Sequence, residues 1–234
     1  READGQMRPM TVMGRIGNID LTRFKQYIDT HPGDFSQDDG RRVVDLEQGI
    51  VRIDGFFSVV ERAKTDGLLD PGLPVNYLRF SGVNPPEHRD RALLICNSTR
   101  IYGVDGTSAR DVTRAEIEGR HQLRAIVNVC RTYLPGFERA FLVDTSSFVG
   151  VRETRRIRGR YTLTYDDIRV HKRFDDAVIV MTSVDYGTAD IHAPDHGHEG
   201  SEQDAWARKL VLPIMRFEFP LSCMLPQSPS HLIV

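Results

Sequence analysis

The chain has 234 residues, of which 27% are charged and 40% hydrophobic, and its formal net charge is −2. This composition supports a folded chain with a sizeable core and excludes wholesale disorder. No run of eighteen apolar residues occurs, so no membrane span is expected, and the near-neutral charge argues against a dedicated nucleic-acid binder.

Residues 6–19 read as a strand through Met10, Val12, Met13 and Ile16, closed by Gly17-Asn18. Asp20 is placed to cap a short helix that carries Leu21, Phe24, Tyr27 and Ile28 on one side, and His31-Pro32-Gly33-Asp34 stops it. A second helix is expected over 54–66, with Phe56, Phe57, Val60 and Ala63 together and Asp70-Pro71-Gly72 as the following turn. Residues 77–80, 92–96 and 100–103 read as short strands separated by turns, the pattern of an antiparallel sheet. The strongest helix is expected over 114–133. Thr113 and Glu116 form a potential capping box there, and Leu123, Ile126, Val129, Cys130 and Tyr133 make its apolar face. Pro135-Gly136 ends it. A short helix is expected after Thr164, capped with Asp167. Residues 186–203 read as a long polar loop, and 212–221 alternate like strands. The apolar end His231-Leu232-Ile233-Val234 has no turn signal, so the natural chain is expected to continue past it. Together these elements give an α+β class: an antiparallel sheet flanked by helices.

Three widely separated cysteines, Cys96, Cys130 and Cys223, with no Cys-x-x-Cys, suit a reducing compartment. With the polar start Arg1-Glu2-Ala3-Asp4 and no leader pattern, a cytoplasmic location is expected. Lysine occurs only at 25, 64, 172 and 209, so arginine supplies nearly all the positive charge. The densest arginine cluster is 150–161. As a strand, one face would carry Glu153 and Arg155 among Val149, Val151, Ile157 and Tyr161. The other would carry Arg152, Thr154, Arg156, Arg158 and Arg160. A charge on a core-facing strand must be paired, so Glu153 and Arg155 are either a structural pair or are presented to a ligand. The arginine stripe is either a solvated face or an anion site. His192, His196 and His198 with nearby carboxylates have metal-ligand chemistry. They fall in a Gly-rich stretch, where a solvated loop outweighs a metal site, and no metal is expected. His192, ahead of that stretch, suits either a structural role or proton transfer near neutral pH. Glu116, Arg120, His121 and Arg124 share a helix side, as surface support or as site residues. No G-x-G-x-x-G, P-loop, G-x-S-x-G or HExxH motif is present.

Several blocks occur in a recognisable order: Asn97-Ser98-Thr99-Arg100, Gly103-Val104-Asp105-Gly106, Arg114–Arg120, Leu134-Pro135-Gly136-Phe137-Glu138, Val149–Gly159, Tyr161-Thr162-Leu163-Thr164, Phe174-Asp175-Asp176-Ala177 and Asp190-Ile191-His192. In this order they resemble a bacterial family of FAD-dependent oxidoreductases, some of whose members carry a xanthan lyase label. The resemblance covers most of the chain and is most specific over Val149–Gly159. It implies a two-domain flavoprotein in which residues 1–234 form the substrate-covering cap. Residues 212–234 would return toward an FAD-binding, Rossmann-like part that lies largely outside this sequence. The implied cofactor is FAD, and the implied reaction is hydride transfer from a small polar substrate to the flavin. Under this resemblance His192 and Arg155 are candidate catalytic residues, and Arg152, Arg156 and Glu153 are candidate substrate-binding residues. The expected partners are a small-molecule substrate and the FAD-binding part of the same protein, with a homo-oligomer as an option and neither nucleic acid nor membrane. The alternative reading is a non-catalytic, Arg-lined module that binds anions or carbohydrates.

Overall fold

The computed structural model describes residues 7–35, 42–152, 154–155, 157–181 and 217–228. The chain divides into two units, Glu2–Arg152 and Glu153–Val234. The first contains β1 (Gly14–Ile19), α1 (Leu21–Thr30), β2 (Arg42–Asp45), β3 (Ile50–Gly55), α2 (Phe57–Thr65), β4 (Leu78–Val83), β5 (Ala92–Cys96), α3 (Ala109–Tyr133) and β6 (Phe141–Thr145). Its six strands form one sheet in the order β2-β3-β4-β5-β1-β6, and every neighbouring pair is antiparallel. The expected α+β class, an antiparallel sheet flanked by helices, is the fold observed.

β1 is shorter than the expected 6–19 strand. Met10 and Thr11 make only isolated bridges, to Ile101 and Gly150. Val12 is tied down differently: Thr99 Oγ1 accepts from its N–H and donates to its carbonyl, both at 2.8 Å. Gly17-Asn18 does not end β1. It forms a bulge in which Asn18 takes φ +62° and its side chain donates to the Arg139 carbonyl at 3.0 Å. Asp20 caps α1 as expected, accepting from the Thr22 and Arg23 N–H groups. Leu21, Phe24 and Ile28 turn inward from that helix.

The β2–β3 hairpin is an element the sequence reading lacks. Its turn closes at Gly49, where φ is +68° and a Cβ would fall 1.5 Å from the Asn84 carbonyl oxygen. β3 occupies the start of the segment expected to be helical, so the helix begins at Phe57 rather than 54. Phe56 makes the corner with φ +64°, a left-handed conformation that costs an L-residue ~1–2 kcal/mol. Packing holds it there: its ring stacks on Phe24 at 5.8 Å and meets Phe35 and Phe80 edge-on. The same corner turns Phe57 outward, so Phe56 and Phe57 do not share a face; Phe57 is exposed.

α3 begins five residues earlier than the sequence suggests. Ser108 is its cap, accepting from the Asp111 N–H, and Thr113 lies inside the helix with its hydroxyl on the Ala109 carbonyl. Glu116 therefore caps nothing; it accepts from the Val149 N–H at 2.6 Å and pairs with Arg120. The apolar face holds as expected through Leu123, Ile126, Val129 and Cys130, joined by Ala115, Gly119 and Gln122 nearer the start. The 100–103 segment forms only the Ile101 bridge, and β6 pairs with β1 as an edge strand.

In the second unit, α4 (Tyr165–Arg169) starts at the expected Thr164–Asp167 capping box. β7 (Ala177–Met181) pairs antiparallel with β8 (Phe217–Pro220), which falls within the alternating 212–221 stretch. The 150–161 arginine stretch is not a strand among its described residues. Only its ends are bridged, Gly150 to Thr11 and Gly159 to Pro226, so two alternating faces do not exist there. No helix among the described residues is long and apolar enough to cross a membrane.

Candidate functional site

Strand alternation gives the six-stranded sheet two different faces. On β4, Leu78 and Phe80 are buried beneath the helices, whereas Arg79 and Ser81 point the other way. A Cβ on Gly17 would touch Val143, Phe141 and Leu93, which gathers those residues on the outer face as well. Ile95, Phe141 and Val143 are exposed there. Arg15 and Asp144 form an ion pair across β1 and β6, with Arg15 Nε donating to Asp144 at 2.9 Å. This pairing draws the Asp144 carboxyl below its ordinary range.

A denser polar cluster lies toward β3–β5. Arg79 donates to the buried carboxylate of Asp54 at 2.8–2.9 Å, directly across the β3–β4 ladder. The Arg79 and Arg100 guanidinium carbons lie 5.6 and 5.5 Å from the Tyr77 ring centroid. Arg100 Nη2 also donates to the Tyr77 hydroxyl at 2.7 Å. Burial pulls the Arg79 guanidinium down, but Tyr77 and Asp54 outweigh it and its pKa rises. Beside Arg79, the side-chain carbonyl oxygen of Asn97 is buried and accepts no hydrogen bond among the described residues. Such an acceptor carries a desolvation cost of ~1–3 kcal/mol. Asp54, Tyr77 and Arg79 are absent from the sequence-derived candidates. The available signal was a charge inside an apolar alternating strand, at Arg79 in Tyr77-Leu78-Arg79-Phe80 and at Asp54 after Val51-Arg52-Ile53.

Of the sequence-derived catalytic and substrate-binding candidates, Arg152 and Arg155 are among the described residues. Arg152 is half-buried, and its guanidinium donates to the Pro9 carbonyl at 2.9 Å and to Thr11 Oγ1 at 3.1 Å. Arg155 is exposed. Glu153, Arg156, His192, His196 and His198 lie outside the described residues, as does the 186–203 loop. Arg120 donates to the Ser146 carbonyl and Glu116 accepts from the Val149 N–H; burial pushes the Glu116 carboxyl up, but Arg120 and the Val149 N–H outweigh it and hold it down. Burial pushes the Cys96 thiol up to about 11 and raises Cys130 strongly, so both are packed, inert thiols. Among the described residues no group of three or more His, Cys, Asp and Glu could hold a metal ion.

A mixed α+β unit with one helix-covered sheet face and one open, partly charged face is the class of structure defined so far. The profile of the FAD dependent oxidoreductase family matches residues 1–234, and the chain belongs to that family. It is therefore a flavin-dependent oxidoreductase sequence whose cofactor is FAD. Neither the curated proteins nor the solved structures contain a match.

The described helix starts test where FAD could sit, because flavoproteins commonly place the dinucleotide phosphates at a helix N-terminus. Here those positions are filled. Asp20 caps α1, and Asp34 accepts from the Ser58 N–H of α2 at 2.7 Å and from its hydroxyl at 2.8 Å. Ser108 caps α3, and Thr164 with Asp167 closes α4. A diphosphate at α1, α2 or α4 would meet a carboxylate already using the amides. The phosphate portion of FAD does not fit the starts of α1, α2 and α4.

Proposed function

We propose that residues 1–234 form the substrate-side cap of the flavoenzyme, completed by an FAD-binding part of the same protein. The reaction would be hydride transfer from a small polar, hydroxylated substrate, sugar-like or acidic, to FAD. The observation that carries this reading is the sidedness of the six-stranded sheet. Its open face combines apolar side chains with the Asp54–Arg79 pair. Pockets for small polar ligands have this mixture of apolar wall and a few fixed polar groups.

FAD, when bound, supplies the two-electron acceptor. In this reading His192 accepts the substrate's hydroxyl proton, and Arg155 and Arg156 hold an acid or hydroxyl group, with Glu153 orienting them. Arg152 acts as a positioning residue, because its guanidinium ties residues 9–11 to the start of the arginine segment.

Anaerobic flavin reduction in the full-length protein, across a panel of sugars, polyols and hydroxy acids, tests the reading. A hydroxylated compound is expected to bleach the flavin. His192→Gln should slow that bleaching by roughly 100-fold or more without comparable loss of substrate affinity, and Ile95→Asp on the open face should slow it too. Wild-type bleaching in His192→Gln removes that residue from the mechanism; wild-type bleaching in Ile95→Asp removes the sheet face from the site.

A further inference from the structure

An open cavity of about 700 Å³ lies between the first half of α3 and the turn at 70–74. Arg110, Arg114, Ile117 and His121 line one wall, at the three- and four-residue spacing that places them on one side of the helix. Leu73 and Pro74 line the wall opposite, so an apolar strip runs across the cavity to Ile117, which is 56% exposed. The carboxylates nearby are already engaged. Asp70 Oδ1 accepts from the Gly72 N–H at 2.8 Å, and Glu118 accepts from Gln122 at 3.2 Å. The cations differ. Arg114 is anchored by donating to the Gly103 carbonyl, with Asp111 3.6 Å away. Arg110 and His121 have no hydrogen-bond or ion-pair partner among the described residues.

We propose that this cavity binds a small organic acid with an apolar body. The acid group sits against Arg110, reinforced by Arg114 one turn on, and the body lies along Ile117, Leu73 and Pro74. His121 meets a second polar group at the far end. Guanidinium groups favour carboxylate and phosphate through paired, charge-assisted hydrogen bonds, and the strip selects against fully hydrated ions. The site belongs to the helix layer: α3 packs on the covered side of the sheet, where Leu123 meets Leu142 and the Gly14 position. It is thus separate from the open face proposed to cover the flavin.

Titration of the full-length protein with benzoate and phenyl phosphate, followed by calorimetry, tests the proposal, with benzyl alcohol and benzylammonium as controls. At least one anion is expected to bind and the controls are not; the stronger anion tells carboxylate from phosphate recognition. Arg110→Gln should raise the anion's Kd by about tenfold, and Ile117→Asn should weaken it as well, while flavin reduction stays unchanged in Arg110→Gln. No binding of either anion, equal binding of benzyl alcohol, or an unchanged Kd in Arg110→Gln overturns the proposal.

Discussion

Gly119 shows how a single missing side chain sets the spacing of layers. It lies in the middle of α3, where glycine costs roughly 1 kcal/mol relative to alanine in helix propensity. Propensity alone would make Gly119→Ala stabilising. A Cβ there would fall 2.4 Å from Val12 Cγ2 and 2.7 Å from Val12 Cβ. Val12 is fully buried, with its backbone pinned at both polar atoms by Thr99, so it has nowhere to move. Overpacking of this kind costs about 1–3 kcal/mol, and Gly119→Ala is expected to lower stability in urea unfolding. A variant as stable as wild type or more so would show that α3 can shift away from Val12. The same locking continues through Asn97-Ser98-Thr99-Arg100. Ser98 Oγ accepts from the Arg79 N–H, and Arg100 exchanges two backbone bonds with the buried side-chain amide of Gln122. These residues fasten the end of β5 to β4 and to α3.

The element scale is where sequence and structure part. α1, the apolar face of α3 and the α4 capping box were legible because each has a local cause: a capping side chain followed by apolar residues at helical spacing. The β2–β3 hairpin carried a signal, alternation through Val51-Arg52-Ile53-Asp54 after a turn at Gly49. The α3 start and the arginine segment were not legible in this way. Ser108 and Thr113 are both plausible caps, and only Ser108 accepts an amide. Ser108→Ala should therefore cost about 1 kcal/mol, and Thr113→Ala should cost clearly less in the same urea assay. The reverse ranking would place the helix start at 114. For the 150–161 segment, alternation of charge and apolar residues imitates a strand, but among its described residues bridges occur only at Gly150 and Gly159. Of the described candidates in that segment, Arg152 reaches back to Pro9 and Thr11, whereas Arg155 is exposed. The Asp54–Arg79 pair arises from cross-strand register, which a linear pattern does not contain. At α4 the Asp167 carboxylate accepts from the Thr164 N–H and hydroxyl and from Tyr161, with Lys172 3.1 Å away, and these contacts hold it well below the usual carboxylate range. A depressed folded value means its stabilisation is complete above the unfolded pKa of about 3.9 and is lost as pH falls below that. Wild type is expected to lose stability in that acid window. Asp167→Asn should be weaker at neutral pH and show a shallower acid dependence; parallel curves would refute the linkage.

At the scale of the whole molecule, the large core among the described residues lies in one unit. The contiguous core runs from Met10 to Val149 and contains the interlocked rings of Phe24, Phe56, Phe80 and Phe137. Every one of these residues belongs to Glu2–Arg152. The helix starts of this unit are capped by its own side chains, Asp20, Asp34 and Ser108, so those amides ask little of the rest of the chain. Its length also lies at the upper limit of the range in which single domains commonly unfold in one step. Residues 2–152 expressed alone are therefore expected to give one cooperative urea transition and dispersed amide resonances. The Arg15–Asp144 and Asp54–Arg79 pairs should survive in that fragment, because both partners of each lie within it. If the fragment instead unfolds without a cooperative transition, the core is not sufficient by itself, and the sheet depends on contacts from the remainder of the chain. A cooperative fragment would make the open sheet face accessible to direct measurement, apart from any flavin chemistry.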